Sequence, residues 1–345
     1  MRQTRADASR RTPTLEDVAR AAGVSRATVS RVVNGSTTVD PRMRSQVAKA
    51  IETTGYIPNA AARTLVNGRT GAVALVISGS DGSADQLFRD PFFGRITGGV
   101  VRHLRSRSMH PTLMLADSDQ DRQEAVDFVR RGNADGALLV STHAGDPLPR
   151  LFVAAGIPAV LFARPAVPVP ISFVDLAHAA GAALAADRLA DRGCRRVVTI
   201  AGPADLPAAN DRLAGFQRAM ERRGVPYVEV ARGNFTTESG EQAMTELLAA
   251  VPDVDGVFAA NDLMAIGALR VLHEHGRSVP DDVALIGFDD SEPARMSRPR
   301  LTTISQPVEK MAERMAAILL DRLDAEDAPL TSVVFDPELV VRESA

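Results

Sequence analysis

From residue 71 onward the chain sets short apolar runs between longer amphipathic stretches, and that alternation limits its fold more than any other feature. The runs are "AVALVI" from Ala72, "PTLMLA" from Pro111, "GALLV" from Gly136, "PAVLF" from Pro158, "RRVVTI" from Arg195, "GVFAA" from Gly256 and "VALIGF" from Val283. A strand that is apolar without interruption has both faces covered, and helical periodicity between such strands supplies the covering layers. The predicted class is therefore α/β with parallel sheets. So many strands exceed one ordinary open sheet, which predicts two βα lobes with a cleft between them. Ligands of such folds lie beyond the carboxyl ends of the strands.

Polar residues follow several of these runs. Asp289 and Asp290 follow "ALIGF", Asn261 and Asp262 follow "VFAA", Arg164 follows "AVLFA", and Asp205 and Arg212 follow "VVTIAGP". Carboxylates, an amide and guanidiniums, interspersed with Phe93 and Phe235, suit a small polyhydroxyl or heterocyclic ligand. His178 reads as a capping or surface residue. The chain has no serine elbow, no metal-ligand trio among its six histidines and no Gly-x-Gly-x-x-Gly after the first strand. Its single cysteine, Cys194, excludes a disulfide scaffold and reads as an inert small residue. No enzyme, metal or cofactor is expected. A sugar-processing enzyme would have to use Asp262 and Asp289 as a carboxylate pair, with a gap of about 5 to 9.5 Å between them. A solute-binding module without regulation is the other competing class.

The first 70 residues differ in charge from the rest. They carry 12 Lys or Arg against 5 Asp or Glu, a net +7, whereas residues 71 to 345 carry 28 against 38, a net −10. That split predicts a small basic module that meets a polyanion. Within it, "TLEDVARAAGVSRATVSRVVNG" gives two short helices about Gly23. Thr14 caps the first with Asp17 completing the box, and Leu15, Val18, Ala19 and Ala22 share its inner face. Ser25 caps the second, which buries Val29, Val32 and Val33 and leaves Arg26, Ala27, Thr28, Ser30 and Arg31 outside. A helix-turn-helix unit results, and its second helix fits a major groove. Arg26 or Arg31 can offer two parallel donors to guanine, Thr28 can meet a thymine methyl or a phosphate, and Ser25 suits a phosphate.

A third helix begins with Asp40 as cap and Pro41 at its first position, with Met43, Val47, Ala50 and Ile51 inward; Pro58 is predicted to stop it. Ala60 to Leu65 then form a helix of barely two turns, too short to be stable alone. It reads as a hinge that orders conditionally, with Asn59 and Arg63 facing phosphates or minor-groove edges and Leu65 as a wedge between base pairs. No run is long enough to span a membrane, and Met1 leads into a polar stretch rather than a signal peptide, so the expected location is the cytoplasm.

With "TLEDVARAAGVSRATVSRVVNG", "GYIPNAAARTL", "NDRLAGF", "ANDLMAIGALRVL", "VPDDVALIGFDD" and "RLTTISQPVEKM" in place, the chain resembles the LacI/GalR family of bacterial transcription regulators over nearly its full length. The resemblance implies an all-α three-helix headpiece joined to a two-lobed, periplasmic-binding-protein-like α/β effector domain. It implies a cytoplasmic homodimer, or a dimer of dimers, that reads palindromic double-stranded operator DNA as a repressor. It also implies a small effector in the cleft, a sugar or a nucleobase, and neither a cofactor nor a membrane partner.

Residues 1–13 are then a tail, 14–57 the headpiece, 58–70 the hinge and linker, and 71–345 the effector and dimerisation domain. Lobe one is predicted over about 71–173 and 302–329, and lobe two over about 174–301 and 330–343. The expected DNA-binding set is Thr14, Ser25, Arg26, Ala27, Thr28, Arg31, Asn34, Asn59, Ala62, Arg63 and Leu65. The expected effector set is Phe93, Arg164, Arg212, Phe235, Asn261 and Asp289. Ala163, Ala177 and His178 stand where the family commonly has acids and an amide, which predicts a less anionic cleft.

Overall fold

Thr14 opens the first helix through a reciprocal pair of bonds: its hydroxyl accepts from the Asp17 amide, and its own amide donates to the Asp17 carboxylate at 2.9 Å. A computed structural model describes residues 12–33, 36, 38–56, 69–79, 90–141, 143–325 and 327–345. The chain divides between Thr70 and Gly71 into two units. In the first, α1 (Leu15–Ala22) ends at Gly23 with φ +65°, and α2 (Arg26–Val33) starts after Ser25, whose Oγ accepts from the Thr28 amide at 3.1 Å. Asp40 caps α3 (Pro41–Thr54). That helix stops at Gly55 rather than Pro58, because a left-handed residue there ends the helical ladder first.

Val18, Val29, Val47, Ala50 and Tyr56 form the core of this unit. Met43, predicted to face inward, is 46% exposed. It lies on the first turn of α3, and the residues that reach the core, Val47 and Ala50, come one and two turns later. Val32 and Val33 are half-buried.

The second unit contains two six-stranded sheets. The strands are β1 (Ala72–Ser78), β2 (His110–Leu115), β3 (Ala137–Ser141), β4 (Ala159–Phe162), β5 (Ser172–Leu176), β6 (Val197–Ala201), β7 (Glu229–Arg232), β8 (Gly256–Ala259), β9 (Ala284–Asp289), β10 (Thr302–Ser305), β11 (Ser332–Phe335) and β12 (Glu338–Val340). Lobe one has the order β11-β5-β4-β3-β1-β2, all parallel. Lobe two has the order β12-β10-β9-β8-β6-β7, parallel except for β12 against β10.

The helices are α4 (Pro91–Ser106), α5 (Asp119–Arg130), α6 (Leu148–Ala154), α7 (His178–Asp191), α8 (Pro207–Arg222), α9 (Thr237–Ala250), α10 (Asp262–Glu274), α11 (Glu292–Met296) and α12 (Val308–Asp324). Strands β4, β6 and β8 are buried throughout and β1 from Val73 onward, as their unbroken apolar sequences require.

The chain crosses between lobes three times: after β5, after β10 and after β11. These crossings correct the predicted lobe limits. Residues 302–305 are hydrogen-bonded to β9 in lobe two, and 332–335 to β5 in lobe one. Lobe one also extends to Leu176. The reason is that β10 and β11 are short strands flanking α12, and the chain re-enters lobe one only after β10 and leaves it only after β11. Helices α4 and α12 pack together on lobe one with their backbones in contact: a Cβ at Gly99 would lie 2.5 Å from the Glu309 carbonyl oxygen. Among the described residues, no helix is long and apolar enough to cross a membrane.

Candidate functional site

Lobe two presents its strand ends to the cleft, and one buried guanidinium organises them. Arg212, in the second turn of α8, has a side chain only 7% exposed. Its Nε donates to His178 Nδ1 at 3.2 Å, its Nη2 to Gln306 Oε1 at 3.0 Å, and its Nη1 to the Ala260 carbonyl and to Asp289 Oδ1 at 3.4 Å. The same group lies 3.7 Å from the Phe288 ring centroid. Because Nδ1 of His178 accepts, its proton sits on Nε2, toward Asp175 Oδ1 at 3.6 Å. Burial holds this imidazole below its ordinary pKa, and the charge of Arg212 adds to that. His178 is thus a buried partner of Arg212, not the capping or surface residue predicted.

Three carboxyls share this end. Burial pushes Asp289 up to about 8 despite the attraction of Arg212, with Asp262 and Asp90 adding to the rise. Burial also pushes Asp262 up to about 6, although it accepts from the Thr303 hydroxyl at 2.6 Å and from the Ser291 amide and hydroxyl at 2.7 and 2.8 Å. Asp90, which caps α4 from lobe one, is raised by burial as well. These acids offset the losses at positions 163, 177 and 178, so this end of the cleft is rich in acceptors. Asp289 and Asp290 adopt φ +110° and +52°, a conformation that costs non-glycine residues on the order of 1–3 kcal/mol each.

Asn261 caps α10 by accepting from the Met264 amide at 2.9 Å and donates to the Phe235 carbonyl at 3.0 Å. Phe235, itself at φ +67°, lays its ring over Gly202, where a Cβ would come within 2.4 Å of it. A cavity of about 10 Å³ touches Asp90, Phe92, Arg95, Asn261, Asp262 and Asp289. That is room for one water molecule. It is Phe92 that lines this space; Phe93 packs edge-on against Phe92 at 5.2 Å.

The mouth of the cleft is built differently. Arg164, at the end of β4, donates to Asp211 on α8 at 2.6 Å, and both side chains are substantially exposed. His143 pairs with Asp205, and the Ala144 amide donates to the Asp205 carbonyl at 3.1 Å. A cavity of about 240 Å³ lies here, bordered by Arg164, Arg150, Pro147, Val167 and, from lobe two, Pro207. Small-molecule pockets begin at roughly 300 Å³, so this one is near that size as it stands. Arg212, Asn261 and Asp289 therefore form one group, whereas Arg164 belongs to the mouth.

In the first unit, Arg26, Ala27 and Arg31 are exposed on α2. Arg26 rests against Glu16 at 3.3 Å, a surface pair that an incoming anion can displace. Thr28 and Ser25 share a hydroxyl contact at 2.9 Å, and Thr14 is engaged in its capping box. Asn34, Asn59, Ala62, Arg63 and Leu65 lie outside the described residues.

Sequence reasoning missed Asp90, Arg95, Asp211 and Gln306. Gln306 follows the end of β10, and the rule that found Asp289 would have found it had that strand been recognised. Asp90 carries the Asp-Pro signature of a helix start. Asp211 and Arg95 give no local signal. Cys194 donates to the Asp255 carbonyl at 3.3 Å, and burial pushes its thiol up to about 11. Among the described residues, no cluster of three or more His, Cys, Asp or Glu could hold a metal ion.

Comparison with known proteins gives matches to two family models, "Bacterial regulatory proteins, lacI family" over residues 14–59 and "Periplasmic binding protein-like domain" over residues 186–345. The chain is 45% identical over 340 residues to the HTH-type transcriptional regulator CelR of Thermobifida fusca, covering 97% of this chain and 99% of that protein. Among solved structures, the CelR–cellobiose complex is matched with a TM-score of 0.75 and 43% identity, over 96% of this chain and all of that one. The lac repressor dimer bound to operator and the anti-inducer ONPF is matched with a TM-score of 0.84 and 25% identity, over 97% and 99% of the two chains.

Proposed function

Because this chain belongs to the LacI family of bacterial regulatory proteins, and is a DNA-binding transcriptional regulator rather than an enzyme, we propose that it acts as a homodimeric repressor of sugar-utilisation genes and that a disaccharide of the cellobiose type is its effector. The observation that carries this reading is the cleft itself. Its inner end offers buried carboxyl groups that can accept from or donate to hydroxyls and one buried guanidinium that donates, and its mouth holds a cavity of about 240 Å³. A polyhydroxyl ligand longer than one ring matches that sequence of surfaces. The inner space of about 10 Å³ requires the lobes to part before a ring meets Arg212 and Asp289. Asn261 and Phe235 complete the lobe-two wall, while Phe93 supports Phe92, and Arg164 contacts the outer unit of the ligand.

On the DNA side, α2 enters the major groove with Arg26 and Arg31 as its main base-reading side chains, and Ala27 and Thr28 pack against base methyls. Thr14, Ser25 and Asn34 meet phosphates. Asn59, Ala62, Arg63 and Leu65 act at the centre of a near-palindromic operator, as the twofold symmetry of a dimer requires. Effector binding shifts the population away from the operator-binding state, with a coupling of about 1 to 3 kcal/mol per site.

The test starts from operator DNA selected out of a random pool and titrated with the full-length protein, with and without cellobiose, glucose or ribose. Cellobiose is expected to weaken operator binding at least tenfold and glucose less. No response to cellobiose would remove the effector assignment. A single asymmetric half-site at full occupancy would remove the dimer. Arg26→Ala is expected to cost about 1–3 kcal/mol of base discrimination on the same DNA.

A further inference from the structure

One side chain of lobe one reaches three separate elements. Arg95, on the second turn of α4, donates from Nε and Nη2 to the two carboxylate oxygens of Glu309 at 2.8 Å each. Its Nη1 donates to the Asp289 carbonyl at 2.9 Å, and its Nη2 also to the Gln306 carbonyl at 2.9 Å. Glu309 lies in the first turn of α12, Asp289 ends β9 of lobe two, and Gln306 lies in the crossing between β10 and α12.

We propose that Arg95 is a positioning residue of the effector site, fixing the main chain of Asp289 and tying its engagement by ligand to helices α4 and α12 of lobe one. The proposal rests on the reading of Asp289 as an effector-binding acid, and three features support it. Asp289 and Asp290 are consecutive non-glycine residues in the left-handed region, and such a pair persists only when held from outside. Arg95 holds the first through its carbonyl; Arg295 and Arg342 hold the second through its carboxylate.

Gln306 links the two guanidiniums of the site. Its side-chain oxygen accepts from Arg212 at 3.0 Å while its main-chain oxygen accepts from Arg95. A ligand that draws Arg212 or Asp289 toward itself therefore pulls on Arg95 by two routes. Finally, the contact between Gly99 and the Glu309 carbonyl lies one turn beyond Arg95. With the two backbones touching there, a shift at this end of α4 passes to α12 instead of being absorbed by side chains.

A simpler role for Arg95, as an ion pair stapling α4 to α12, has an internal control. Arg102 and Glu313 join the same two helices at 2.7 Å, and among the described residues neither has a hydrogen bond or ion pair to lobe two. The experiment compares Arg95→Gln with Arg102→Gln in the full-length protein. Cellobiose affinity is measured by calorimetry, operator affinity with and without cellobiose by anisotropy, and amide exchange at residues 289–291 in the absence of ligand.

In Arg95→Gln the fold-change in operator affinity on adding cellobiose is expected to shrink at least tenfold relative to wild type, with cellobiose affinity reduced by less than tenfold. Exchange at 289–291 is expected to speed up at least tenfold, and Arg102→Gln to match wild type in all three. A wild-type operator response in Arg95→Gln overturns the proposal, as does equal exchange at 289–291 in the two variants. If wild-type protein does not bind cellobiose, the effector assignment fails, and the ligand-free exchange comparison still decides the role of Arg95.

Discussion

The two ends of the cleft use the same chemistry, an arginine of one helix or strand end facing an aspartate, in opposite surroundings. At the inner end, Arg212 and Asp289 have side chains 7% and 15% exposed. At the mouth, Arg164 and Asp211 are 56% and 40% exposed, and their bond is the shorter of the two. Distance alone would rank the mouth pair as the stronger. Solvent reverses the ranking by truncation cost: an exposed pair contributes about 0.2–1 kcal/mol, whereas removing one partner of a buried pair costs about 3–5 kcal/mol because the other is left uncompensated. The two pairs are therefore expected to respond very differently to truncation, the inner one far more than the one at the mouth.

That contrast is most exposed to failure at Arg212. Truncation to alanine leaves four buried acceptors, at Asp289, His178, Gln306 and Ala260, without their donor. Arg212→Ala is expected to lower the unfolding free energy by about 3–5 kcal/mol in a urea titration, with loss of effector binding. A cost below about 1 kcal/mol would put the inner end in the same class as the mouth.

The second prediction concerns pH. Asp289 and Asp262 bind protons more tightly folded than unfolded, since burial raises them to about 8 and about 6. Between the unfolded carboxyl range near 4 and pH 8 the native state therefore carries the extra protons, and stability falls as pH rises. The contribution is fully present below about pH 4 and lost by about pH 8. The melting temperature is expected to fall by a few degrees from pH 5 to pH 8, and Asp289→Asn should flatten that slope. A slope as steep in the variant as in wild type would assign it to groups elsewhere.

The smallest expected effect is at the mouth. Arg164→Ala should change unfolding free energy by less than about 1 kcal/mol, and any change should fade with added salt. If effector association measured by stopped flow is faster in this variant than in wild type, the pair acts as a brake on opening. An unchanged rate would leave it as surface charge alone.

How far the sequence carries such a comparison depends on the range of each interaction. Caps and turns are local, so Thr14 with Asp17, Gly23 and Asp40 were legible as written. Central strands were legible because burial on both faces leaves an unbroken apolar run. Strands β5 and β10 escaped notice because they are short and carry Ser172, Asp175, Thr302 and Thr303, whose polar groups find partners only in the folded lobes. At the site, Arg212, Asn261 and Asp289 could be picked out by the rule that ligands lie beyond strand ends. Arg95 could not. Its partner Glu309 is 214 residues away, and nothing in "FFGRIT" marks a side chain that crosses between lobes.

The order in which the lobes are visited has a bearing on how the protein emerges from the ribosome. Strands β1 to β5 are synthesised first, yet the helix that covers β3 to β5 and the strand that completes their sheet lie at residues 308–335. Throughout translation of residues 177–307, the nascent lobe one lacks α12 beside α4 on one face of its sheet and has the β5 edge unpaired, a surface that invites association with neighbouring chains. Lobe two, whose strands β6 to β10 run almost consecutively, has most of its layers available before that wait ends. The lobe begun first thus has its sheet completed only near the end of the chain.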